Sequence, residues 1–131
     1  MQEEGRSPTL GLFAGLEAAT GLGLLLRPDL VIGLLFGLAG PAPEALLLAR
    51  LGGAALLAIG VISWGSRALH GSRGDRGLLI GILLYNGLAA AVLAHAALGL
   101  NLQGVLIWPA TLYHAAMLAW CLVIALRMRR R

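Results

Sequence analysis

The sequence contains no lysine, a single cysteine and few charges, and each shortage narrows what the chain can be. All ten basic residues are arginine, a bias that codon usage accounts for without any function. One cysteine, Cys121, cannot close an intrachain disulfide, so it says nothing of redox compartment. It lies in AMLAWCLVIAL, where a thiol packs as a small hydrophobe. Charged residues make up 12% of the 131 positions, against roughly 25% in ordinary globular domains. With 59% hydrophobic residues and a mean hydropathy of +0.85, that shortage argues against a soluble domain. Phosphate loops, a Ser–His–Asp order and paired carboxylates at glycosidase-like spacing are also missing. The formal charge of +4 would suit nucleic acid, but the arginines cluster between long apolar runs instead of lining one surface. No nucleic-acid partner is expected.

What is present is apolar length. Four stretches, about residues 9–26, 44–64, 77–99 and 104–126, approach or exceed the ~20 apolar helical residues that cross a bilayer. Leucine and alanine dominate and no strand-like alternation occurs, so the expected fold is all-α: one domain, residues 1–131, forming an integral membrane four-helix bundle. Between the first two stretches, RPDLVIGLLFGLAGPAP holds an apolar part too short to span, which predicts an interfacial or re-entrant half-helix bounded by Pro28 and Pro41. MQEEGRSPTL is a poor signal peptide, because acids precede its apolar run and Glu17 interrupts it; the first segment is expected to be retained.

Four crossings place Arg6, Arg67, Arg73, Arg76, Arg127, Arg129, Arg130 and Arg131 on one side and only Arg27 and Arg50 on the other. The positive-inside rule then puts both termini in the cytoplasm of a bacterial inner membrane. The terminal RMRRR suits a stop-transfer anchor that can also touch anionic lipid. His70 falls in the arginine-rich loop and is expected to be a solvated cytoplasmic residue. GLFAG (Gly11, Gly15), GLLFG (Gly33, Gly37) and GLLIG (Gly77, Gly81) have the small-xxx-small spacing that lets helix backbones approach. They fit a compact bundle, a homo-oligomer or a subunit of a larger membrane complex, and do not choose between them. Trp64 and Trp108 suit interfacial anchoring. Pro109 either opens the fourth helix or kinks it after Val105.

Ionisable residues inside the spans are the informative exceptions, since each costs roughly 2.5–3.5 kcal/mol at a helix centre on insertion scales. They are Glu17, Arg50, His95 and His114, with Tyr85, Asn86, Thr111 and Tyr113 as uncharged company. Counted at about 1.5 Å per residue from the outer ends, Glu17 lies roughly 13 Å deep, His114 roughly 15 Å, Arg50 near 9 Å and His95 near 6 Å. All fall in the outer half, one per helix. His95 shares a face with Leu84, Leu88 and Ala91, whereas Asn86 points to the opposite side and is expected to bond a neighbouring helix or its own backbone.

Several arrangements stay open at this point. Glu17 and Arg50 can form a structural ion pair with the histidines hydrogen-bonded nearby, and Arg50 alone can snorkel outward. Glu17, Arg50, His95, Tyr113 and His114 can instead line a ligand pocket for a quinone, a sterol-like lipid or a lipid head group. His95 and His114 have the chemistry of b-type haem ligands, but their depths differ by roughly 9 Å. A zinc set of Glu17, His95 and His114 lacks any local motif such as HExxH, so neither metal nor cofactor is expected. The expectation is a non-catalytic accessory subunit or lipophilic-ligand binder among membrane lipid; the alternative is an enzyme or carrier with Glu17 and His114 as acid and base.

EALLLARLGGAALLAIGVISWGSRA, GLLIGILLYNGLAAAVLAHAALG and WPATLYHAAMLAWCLVIA together resemble small four-helix bacterial membrane proteins of the DoxX-like group. The likeness covers the last two-thirds of the chain and rests on a glycine-rich second helix ending in Trp and Arg before an arginine loop. It implies a four-helix bundle and no established activity. Related folds of the emopamil-binding type hold sterols and use buried acids, but no motif of that family maps onto this sequence, and no residue roles follow.

Overall fold

The computed structural model describes residues 7–66 and 73–129. Arg6, Arg67, Arg130 and Arg131, which enter the arginine count, and His70 of the loop lie outside the described residues. Those residues form α1 (Pro8–Leu26), α2 (Pro28–Phe36), α3 (Pro43–Gly65), α4 (Arg73–Leu98) and α5 (Ile107–Arg129). The protein is all-α, and α1, α3, α4 and α5 are each long and apolar enough to cross a membrane. It is a multi-pass membrane protein.

Proline sets most of the helix starts. Pro8, Pro28 and Pro43 are the first residues of α1, α2 and α3, where the missing N–H would have had no helical partner. Pro109 is the third residue of α5, so it opens that helix and leaves no kink behind it. Ser7 caps α1, its Oγ accepting from the Leu10 N–H at 3.3 Å. α1 stops at Leu26 because Pro28 disfavours helical backbone at Arg27, which leaves the helix at φ −136°.

The described residues pack as two compact units, 7–33 with 39–66 and 34–38 with 73–129. In the first, α1 lies against α3 through contacts that only glycine permits. A Cβ on Gly21 would stand 2.5 Å from the Leu57 nitrogen, and one on Gly60 would stand 2.7 Å from the Ala18 nitrogen. Backbones this close replace the hydrophobic drive that lipid does not supply. The quoted glycine pairs are not the closest contacts: Gly15, Gly77 and Gly81 have no neighbour at a Cβ position, and Gly11 meets only the Trp64 ring at 3.9 Å. Arg27 and Asp29 close an exposed two-pronged ion pair at the α1–α2 joint, 3.1 and 3.2 Å long. The hydrogen bond from Arg27 holds the Asp29 carboxyl below the usual aspartate range.

In the second unit α4 and α5 form an antiparallel hairpin. Leu102 donates to the Ala96 carbonyl at 3.1 Å and Asn101 turns the chain at φ 57°, a left-handed conformation that asparagine tolerates. The last turn of α2 belongs here. Leu106 donates to the Leu34 carbonyl at 2.9 Å, Gly104 packs on the Leu34–Leu35 backbone, and Phe36 covers a core of Ala96, Ala97 and Ile107. Gly37 then breaks the helix at φ +72°, so the second glycine of GLLFG serves as a turn.

Candidate functional site

The inner stripe of α5 runs Ile107, Thr111, His114, Met117 and Cys121, all buried at the three- and four-residue steps that keep side chains on one helix face. Two of its polar members solve the burial problem differently. Thr111 Oγ1 donates to the Ile107 carbonyl at 2.6 Å and so spends its hydroxyl inside its own helix. His114, 9% exposed, reaches across to α4. Its Nδ1 lies 2.8 Å from Oδ1 of Asn86, a residue that is 0% exposed.

The direction of that bond follows from the neighbouring one. Asn86 Nδ2 donates to the Ile82 carbonyl at 2.8 Å. A backbone carbonyl can only accept, which fixes the amide with its NH2 toward Ile82 and its oxygen toward His114. Nδ1 of His114 must therefore carry the proton. In the neutral ring Nε2 is then left with a lone pair. The ring makes no further hydrogen bond among the described residues. Its faces and edges are held by Tyr85, with ring centroids 5.4 Å apart at 88°, and by Tyr113, at 5.0 Å and 62°. Edge-to-face packing of this kind fixes a ring plane as well as adding about 0.5–1.5 kcal/mol per pair.

An imidazole oriented through Nδ1 and bare at Nε2 is the arrangement that ligating and basic histidines use. It can accept a hydrogen bond, take a proton or ligate a cation. Among the described residues no group of three or more His, Cys, Asp or Glu could hold a metal ion.

The remaining site residues expected from sequence are placed as follows. Tyr113 adjoins His114 in the cluster. His95 does not: it is exposed three residues from the end of α4, its ring against Gly99. It stands nine residues beyond Asn86, about 13 Å along the axis, so the two histidines share no level at which both could ligate one haem iron. In the first unit Glu17 is buried at 3% exposure on α1. Arg50 is exposed on α3, and its Nε donates to the Leu25 carbonyl at 3.4 Å. Leu25 is eight residues past Glu17, about 12 Å along α1, and the Glu17–Arg50 ion pair is not formed. Asn86 bonds both its own backbone and the neighbouring helix, the two partners expected of it. What the residue pattern did not supply is its role as the group that orients His114, or the place of Tyr85 beside it.

No protein-family model matches the chain, and no curated protein or solved structure is significantly similar to it.

Proposed function

We propose that this protein is a non-catalytic binder of a lipophilic small molecule, held by a hydrogen bond to Nε2 of His114. The observation that carries this is the Asn86–His114 bond at 2.8 Å, with the Asn86 amide committed to Ile82. Two bonds within a membrane-spanning hairpin are spent on setting one ring's tautomer. A bare acceptor nitrogen in apolar surroundings selects a ligand with an O–H or N–H donor on an apolar body, such as a quinol or a sterol-like alcohol. Tyr85 and Tyr113 supply aromatic surface beside it. The arginine asymmetry supports an inner-membrane protein with both termini cytoplasmic, and the DoxX-like resemblance fits a small helical membrane protein of this kind.

The test is native mass spectrometry of the full chain, gently released from its host membrane. The wild-type protein carries a reproducible non-protein mass that His114→Gln loses while still accumulating in the membrane. A wild-type protein without such a mass, or a mass indifferent to His114→Gln, leaves Asn86–His114 as an interhelical clamp and sinks the proposal.

A further inference from the structure

Arg50 lies seven residues inside α3, about 10 Å from its start along the axis. α3 has 23 residues, about 34 Å of helix against a hydrocarbon core of about 30 Å. The Arg50 Cα therefore sits below the edge of that core, and its side chain leans back toward the helix N-terminus and the membrane face.

Two features aim the guanidinium. Leu25 is the penultimate residue of α1, so its carbonyl has no partner within the helix and lies at the negative end of the helix dipole. Nε of Arg50 donates to it at 3.4 Å. One turn along α3, Gly53 lets the α1 backbone close in: a Cβ there would stand 2.8 Å from the Leu24 Cβ and 3.1 Å from the Leu25 nitrogen. The end of α1 that carries this carbonyl is thus held close to α3 one turn from Arg50.

With Nε tied down, the two Nη groups form a planar fork that makes no hydrogen bond or ion pair among the described residues. Leu47, Leu48 and Leu51 beside it are exposed, as lipid-facing residues are. Asp29 is engaged by Arg27, and Glu44 is six residues away on α3, about 9 Å. A full positive charge with an oriented fork thus emerges from an apolar surface near the membrane edge.

We infer that Arg50 is a binding site for the phosphate of an anionic lipid head group in the leaflet that α3 enters first. The guanidinium plane matches two phosphate oxygens at once, which an ammonium cannot do. An anionic lipid is preferred because the phosphate of a zwitterionic lipid already has its own cation.

The full chain is reconstituted in nanodiscs of phosphatidylcholine with phosphatidylglycerol, and retained phosphatidylglycerol is counted by native mass spectrometry. Wild type is expected to retain at least about fivefold more than Arg50→Gln, with Arg50→Lys between them because it keeps the charge without the fork. Arg27→Gln, which removes an exposed paired charge, should retain as much as wild type. Equal retention by wild type and Arg50→Gln overturns the proposal. If Arg50→Gln does not insert, Arg50→Lys decides alone, and unchanged retention there overturns it. Displacement of the lipid by millimolar inorganic phosphate would reassign the site to a free anion and overturn the lipid assignment.

Discussion

Gly52 and Gly53 are neighbours in α3 with opposite surroundings, and one methyl group on each gives opposite results. A Cβ on Gly52 meets nothing within 4 Å, whereas on Gly53 it stands 2.7 Å from the Gly21 carbonyl oxygen and 2.8 Å from the Leu24 Cβ. Ordinary carbon contacts lie at about 3.5–4.0 Å, so α1 must retreat by about 0.7–1.2 Å. A gap of that size forfeits about a quarter to a half of each dispersion well along the contact, and forced overpacking costs about 1–3 kcal/mol. Against this, Gly→Ala inside a helix gains about 0.8–1 kcal/mol. Gly53→Ala should therefore lose up to about 2 kcal/mol, and Gly52→Ala should gain up to about 1 kcal/mol. Both can be measured by SDS titration of the folded protein in mixed micelles, followed by tryptophan fluorescence. Equal unfolding midpoints for the two variants would refute the close α1–α3 approach.

Other consequences are as direct. Asn86→Leu and His114→Leu should each destabilise the protein and the double variant less than their sum, with a coupling of about 0.5–1.5 kcal/mol in the same titration; additive losses would deny the bond. Ser63 is fully buried in α3, and its hydroxyl has no hydrogen-bond partner among the described residues. Ser63→Ala should leave stability unchanged or raise it by up to about 1 kcal/mol, and a clear loss would reveal a bond to that hydroxyl. The Asp29 carboxyl is held low by Arg27, so what the pair contributes is complete above the ordinary aspartate value of about 3.9 and disappears only as pH falls through the lower folded value. Because both groups are exposed, Asp29→Asn should not shift the thermal midpoint at pH 7.

The four spans were legible because long Leu- and Ala-rich runs leave little else to form. The boundaries of α1 and α3 fall within a residue of expectation, since proline marks their starts. α4 begins earlier and α5 ends later than the apolar runs do, at Arg73 and Arg129, because backbone hydrogen bonding carries a helix past the point where its apolar composition stops. α5 also starts later than expected, where residues 104–106 are held against Leu34 and Leu35, a contact between segments some seventy residues apart. The site was half legible. The depth count that set His95 roughly 9 Å from His114 puts Asn86 only about 5 Å from it, well within side-chain reach. Facing along α4 separates Asn86 from His95 and points Asn86 at a neighbouring helix, but it does not single out His114 as the partner across the hairpin. The Arg50 contact could not be found this way, because its partner is a main-chain carbonyl and carries no side-chain signature.

The central claim is that Asn86 fixes His114 with its proton on Nδ1 and a bare Nε2. Nitrogen-15 NMR of histidine-labelled protein in lipid bilayers tests it, with the His114 signals assigned by their loss in His114→Gln. The account predicts a protonated Nδ1 and an unprotonated Nε2 in bilayers of synthetic phospholipid, with the Nε2 resonance moving when a lipid extract of the host membrane is added. A proton on Nε2 at neutral pH, or an Nε2 signal unmoved by any lipophile, would contradict it.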